Sequence, residues 1–257
     1  MTATPYIVRH RAWLPVIGMV LFCSMGLAHA ETAGAPANAS ATSPVGIAPG
    51  SAEELFRQLA KLEGLEATFV ETKKMALLRA PLESRGRLYY LQPGYLLREV
   101  EAPSPSRVLI TPSTLELHAA DTKRSIDLSA RPDVKLFVES FTKVLAGDHQ
   151  ALAKGFDIRF TPNVAAGGTA AASAAKGTRP NTGWKLVLTP KAAPLNQLIR
   201  QLELTGTGYA VERIGVQETK GDSSEIVLTV KSVRRVYSSE EKRRLFGLAD
   251  SATKTHP

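Results

Sequence analysis

Residues Leu65–Pro103 read LEATFVETKKMALLRAPLESRGRLYYLQPGYLLREVEAP, and three strand-like runs follow one another within them. Thr68–Lys73, Arg85–Leu91 and Tyr95–Val100 are rich in β-branched, aromatic and aliphatic residues. Ala80-Pro81 and Gln92-Pro93-Gly94 supply the turn chemistry between them. Gly86, Leu88 and Tyr90 share one face, while Arg85, Arg87 and Tyr89 share the other. This period of two predicts consecutive antiparallel strands in a sheet with one apolar and one wet face.

The same signature continues downstream. Arg107–Thr111, Thr114–Ala119 and Lys123–Leu128 are short alternating segments punctuated by Pro105, Pro112 and Asp121-Thr122. After an interruption, strand patterns resume at Phe156–Thr161, Trp184–Thr189, Ile199–Thr205, Tyr209–Glu218 and Glu225–Lys231, giving about eleven strands. The interruption is Asp133–Ala146, DVKLFVESFTKVLA, where Val134, Phe137, Val138, Phe141 and Leu145 fall at helical spacing and Gly147 supplies the stop. Asp148–Lys154 adds a further helical turn. Ser51–Leu62 reads as an opening helix, with Ser51 and Glu54 as a capping box and Leu55, Leu59 and Leu62 as its stripe. Ser238–Phe246 reads as a charged terminal helix.

Strands that do not alternate with helices exclude a parallel α/β sheet. So many strands, apolar on one side, must close, fold over or be covered. The expected architecture is mainly β: an incomplete, half-open antiparallel barrel with an apolar hollow, covered by Asp133–Ala146 and Ser51–Leu62. An ordinary packed sandwich also fits the alternation.

The ends and composition suggest an exported protein. Arg9 and Arg11 precede the apolar run Ala12–Leu27, and Ala28-His29-Ala30 forms a small-x-small cleavage site, so residues 1–30 read as a signal peptide. Cleavage there removes Cys23, the only cysteine, and lowers the formal net charge from +8 to +6 by taking away Arg9 and Arg11. Residues 31–50 are Ala/Gly/Pro/Ser-rich and are expected to be a disordered tether. The folded domain is expected over 51–246, with an Ala/Gly-rich loop insertion at 163–183 and a flexible tail at 247–257. The basic pairs, such as Lys73-Lys74 and Lys123-Arg124, lack interleaved aromatics, which argues against nucleic acid.

Catalytic and metal chemistry find no footing in the pattern. His118, His149 and His256 stand apart from one another, and neither H-x-x-x-H nor G-x-S-x-G occurs. No catalytic residue, metal or cofactor is expected, and Glu71 is expected opposite a basic neighbour. Buried apolar area is what the sequence offers. An acyl chain of about 16 carbons gains on the order of 0.8 kcal/mol per buried methylene, so a greasy hollow alone suffices to hold lipid. The expected lining is Phe69, Leu88, Tyr90, Leu97, Val108, Ile110, Leu117 and Leu128, extended by Trp184, Leu186 and Leu188, with Phe137 and Phe141 closing it from the lid.

The order of motifs resembles the LolA-like outer-membrane lipoprotein carrier family of Gram-negative periplasms. FVETKK (Phe69–Lys74), the G-x-L-Y-Y strand (Gly86–Tyr90), LLRE (Leu96–Glu99) and P-S-R-V-L-I (Pro105–Ile110) come first. L-A-G-D (Leu145–Asp148), F-D-I-R-F (Phe156–Phe160) and W-K-L-V-L-T-P-K (Trp184–Lys191) follow in the family's order, over about Ser51 to Val236. The resemblance implies a monomeric, non-enzymatic shuttle that shields lipoprotein acyl chains between an inner-membrane exporter and an outer-membrane acceptor. Two positions depart from the pattern: Glu71 stands where the family usually has Gln, and Gln92 where many members carry a basic residue linked to lid closure. Arg98 is the nearest substitute for lid control. These departures suggest a divergent branch whose cargo is another lipid or a lipid-linked product. The alternative is an envelope sensor or scaffold on the same fold that binds a protein partner.

Overall fold

The computed structural model describes residues 49–120, 122–164 and 183–248. The expected signal peptide (1–30) lies outside them, as do nearly all of the tether (31–50), the Ala/Gly-rich insertion (163–183) and the tail (247–257). Helix α1 (Ala52–Leu59) leads into β1 (Gly64–Lys74), β2 (Leu82–Leu91), β3 (Tyr95–Ala102), β4 (Ser106–Ile110), β5 (Thr114–Ala119) and β6 (Thr122–Asp127). Helices α2 (Pro132–Leu145) and α3 (His149–Gly155) then connect to β7 (Phe156–Val164) and β8 (Gly183–Pro190). The strands β9 (Ile199–Thr207), β10 (Ala210–Glu218) and β11 (Ser223–Ser232) precede α4 (Ser239–Phe246).

All eleven strands form one antiparallel sheet in the order β6-β5-β4-β3-β2-β1-β11-β10-β9-β8-β7. The chain starts in the middle of the sheet, meanders out to one edge, crosses to the other edge and meanders back. Its first and last strands therefore pair at the centre, Phe69 opposite Leu228 and Glu71 opposite Ile226. The edges β6 and β7 remain unjoined, so the barrel is incomplete, as the alternating pattern predicts. The crossing segment is α2–α3, and its path over the concave face makes it the lid.

Local chemistry accounts for each helix. Ser51 caps α1 by accepting from the Glu54 amide, but Glu54 turns to the Gly50 amide instead of back to Ser51, so the expected box is half made. Pro132 occupies the first turn of α2, where its missing N–H costs nothing. Beyond it, Gly147 takes φ +69°, and a Cβ there would meet the Phe56 carbonyl oxygen of α1 at 2.2 Å. Asp148 caps α3. The complete capping box lies on α4, between Ser238 and Glu241.

The concave face carries the main core. Leu55, Phe56 and Leu59 of α1 and Val134, Phe137, Val138 and Val144 of α2 pack onto the alternate residues of the strands. The convex face is not uniformly wet, as the period-two pattern led us to expect. Tyr89, Leu97 and Leu109 form a second apolar cluster beneath Tyr237, Leu245 and Phe246 of the C-terminal segment. Arg107 holds α4 there by donating to the Leu245 carbonyl at 2.5 Å.

Candidate functional site: a lidded apolar hollow

Between α2 and the sheet lies a cavity whose walls are almost wholly hydrocarbon. Phe69, Leu88, Leu96, Val108 and Ile110 form one side, drawn from β1 to β4. Leu188, Leu202, Leu204, Ile214, Ile226 and Leu228 form the other, drawn from β8 to β11. Phe137, Val138, Phe141, Val144 and Leu145 close it from α2. Phe137 and Phe141 meet edge to face, ring centroids 5.3 Å apart. The space left is about 70 Å³. An engineered apolar cavity of about 150 Å³ takes up a single benzene. The shut form therefore has no room for an acyl chain until α2 moves.

The expected lining divides into three groups. Phe69, Leu88, Val108, Ile110, Phe137, Phe141 and Leu188 meet at the cavity wall. Tyr90, Leu117, Leu128, Trp184 and Leu186 belong to the same concave-face core but lie away from the open space. Trp184 is fully buried, and its indole N–H donates to the Gly208 carbonyl at 2.9 Å, which marks it as packing. Leu97 is a correction. It lies on the convex face under α4, because Leu96 and Arg98 are the residues of β3 that point inward. Among the residues missed are Leu202, Leu204, Ile226 and Leu228, whose alternation was visible but whose pairing with β1 through β11 was not.

One charged cluster interrupts the hydrocarbon. Arg98 is 5% exposed and Glu71 3%. The Arg98 Nη2 donates to Glu71 Oε2 at 2.5 Å. Ser84 Oγ donates to the same oxygen at 3.3 Å, and Ser224 Oγ to Glu71 Oε1 at 2.6 Å. The guanidinium carbon lies 4.5 Å from the Phe69 ring centroid. A pair so placed, with hydrogen bonds on both carboxylate oxygens, meets the condition under which a desolvated ion pair persists. Glu71 thus has the basic partner expected of it. Expected to govern the lid, Arg98 makes these hydrogen bonds within the sheet. The link between the β2–β3 turn and a helix runs through Gln92, whose amide donates to the Ala60 carbonyl just past the end of α1 at 2.9 Å.

The histidines have structural surroundings. His149 opens α3 and stacks on Phe56 with ring centroids 5.1 Å apart. His118 lies 3.8 Å from Glu116. Among the described residues no three of His, Cys, Asp and Glu gather as metal ligands, and no helix is long and apolar enough to cross a membrane.

A half-open antiparallel barrel, lidded by its own crossover helix over an apolar hollow, defines a binding fold of the carrier type. Residues 42–236 match the model of the family described as outer membrane lipoprotein carrier protein LolA-like, and the chain belongs to that family. Among curated proteins nothing matches. Among solved structures, a LolA superfamily protein from Nitrosomonas europaea is similar at 8% identity and a TM-score of 0.39, over 75% of this chain and 97% of that one. The lipoprotein LppX of Mycobacterium tuberculosis is similar at 14% identity and 0.37, over 72% and 97%. The MucA/MucB complex of Pseudomonas aeruginosa is similar at 14% and 0.32, over 72% of this chain and 58% of that one.

Proposed function

We propose that this protein is a periplasmic carrier, exported by a signal peptide at residues 1–30, that holds the acyl chains of lipoproteins or of another lipid beneath α2. It would receive cargo from an inner-membrane exporter and yield it to an outer-membrane acceptor, acting as a monomer without catalysis. The observation that carries this reading is the cavity itself: almost wholly hydrocarbon, and roofed by a helix that presents Phe137 and Phe141 to it. Family membership agrees with it.

Native mass spectrometry of the mature protein, purified from periplasm without detergent, tests the proposal. A stoichiometric acyl-bearing adduct supports it and names the cargo class. A clean apo mass, with no uptake of a fluorescent fatty-acid probe, refutes it. A second reading then takes its place: an envelope sensor or scaffold that grips a protein. The β1–β2 connection favours that alternative, since Leu77 is 91% exposed and Leu78 44% at its tip.

A further inference from the structure

Arg98 stands in the wall of a hydrocarbon hollow, and Glu71 pairs with it. Resting on the carrier reading, we propose that Glu71 sets the charge class of the cargo. By cancelling Arg98, it restricts the hollow to neutral acyl groups, esters and amides, and turns away lipids whose carboxylate would enter it.

A guanidinium does not lose its proton in proteins, so Arg98 is a permanent cation at the cavity wall. Left to itself there, flanked by Leu88 and Val108 in register, it would be a receptor for an anionic head. Glu71 occupies that role from within the chain. Its carboxylate is held from three sides, by Arg98, Ser84 and Ser224, and cannot swing away from the cation without giving up all of these bonds. Gly86, opposite Phe69 in register, keeps β3 close: a Cβ there would meet the Glu99 carbonyl oxygen at 1.8 Å. An incoming carboxylate would therefore meet a cation already paired with an anion, and its entry would leave two anions to one cation in a site of low dielectric. An ester brings no net charge and meets none.

The test is displacement of a fluorescent acyl ester by palmitate and by methyl palmitate at neutral pH, for the wild type, Glu71→Gln, Arg98→Met and the double variant. Folding of each is checked by circular dichroism. In Glu71→Gln the affinity ratio of palmitate to methyl palmitate should rise tenfold or more. In Arg98→Met it should fall, and in the double variant it should return to the wild-type value. If Glu71→Gln does not fold, Arg98→Met and the double variant still decide the matter. A ratio that stays the same across folded variants overturns the inference while the carrier reading stands. Failure of the wild type to bind either compound overturns both.

Discussion

Replacing Phe137 by Ala tests whether lipid binding is an exchange of one hydrocarbon for another. In the shut form Val134, Phe137, Val138 and Val144 of α2 are each no more than 3% exposed, buried against the sheet. Burying a side chain of this kind is worth about 1.5–3 kcal/mol, so lifting these four off the sheet costs about 6–12 kcal/mol. A 16-carbon chain laid in their place regains about 13 kcal/mol at ~0.8 kcal/mol per methylene. The two terms nearly balance, which keeps the cargo removable. It also sets a threshold, since chains of about half that length regain too little to displace the lid. Phe137→Ala removes up to about 3 kcal/mol from lid closure. At fixed chain length this should tighten acyl binding by about 10²-fold. Equivalently, the variant should bind chains three to four carbons shorter as tightly as the wild type binds the longer ones. Titration calorimetry over a series of methyl esters of increasing chain length measures this. The expected result is a plot of log Kd against carbon number displaced toward shorter chains with its slope unchanged. Parallel weakening at every length would show that Phe137 holds the ligand rather than the lid, and the exchange argument would fail.

Three further substitutions probe the faces and burial of the sheet. Leu96→Asn places an amide in the hollow and should abolish uptake of an acyl probe, whereas Leu97→Asn should leave uptake intact and undock α4, seen as faster amide exchange over residues 239–246 with a loss of about 2–5 kcal/mol. The reverse pattern would mean the register of β3 is one residue out. Tyr90 is fully buried, its hydroxyl has no hydrogen-bond partner among the described residues, and burial raises its pKa to about 12. A raised folded-state pKa means stability that is complete below about pH 10 and lost as the pH climbs toward 12. Tyr90→Phe should remove part of that alkaline loss and leave stability at pH 7 equal or up to about 1 kcal/mol higher. The remainder should persist, because burial raises the Tyr237 pKa as well. Alkaline melting curves that coincide for wild type and variant would refute the assignment.

Much of the concave face was legible because alternation alone marks it. Phe69, Leu88, Val108, Ile110 and Leu188 each share the inward face with residues two away, although Val70, Leu109 and Val187 beside them are apolar too. In β3 the pattern is silent: Leu96 and Leu97 are adjacent, both apolar and both buried. A single-residue slip exchanges the faces of a strand. What settles the matter is the cover that α4 gives to Leu97, and α4 is far away in sequence. The same limit hid Leu202, Leu204, Ile226 and Leu228. Their strands were found, but the pairing of β1 with β11 that carries them to the cavity is a contact between the two ends of the domain. The partner of Glu71 was expected to be basic. That it is Arg98 depends on a reach from β3 past β2 to β1, and strand order is not written in local pattern.

The topology also constrains how the lid can work. Because β1 and β11 pair at the centre, β6 and β7 are left at opposite edges, and α2–α3 is the covalent bridge between them. A helix tied to the sheet at both ends cannot swing out like a hinged door. It can lift only if the segments beside it give way or the edges it joins move. The far end resists, since Gly147 packs its backbone against Phe56 and Ala60 of α1, and Lys191 donates to the Ala153 carbonyl of α3 while pairing with Asp157 of β7. The near end is weaker. Five of the six residues of β6 are exposed, Arg131 gives α2 no side-chain cap, and Pro132 withholds a donor from its first turn. Phe137 and Phe141 lie one and two turns beyond the β6–α2 junction, so movement there would act first on the part of the lid that fills the cavity.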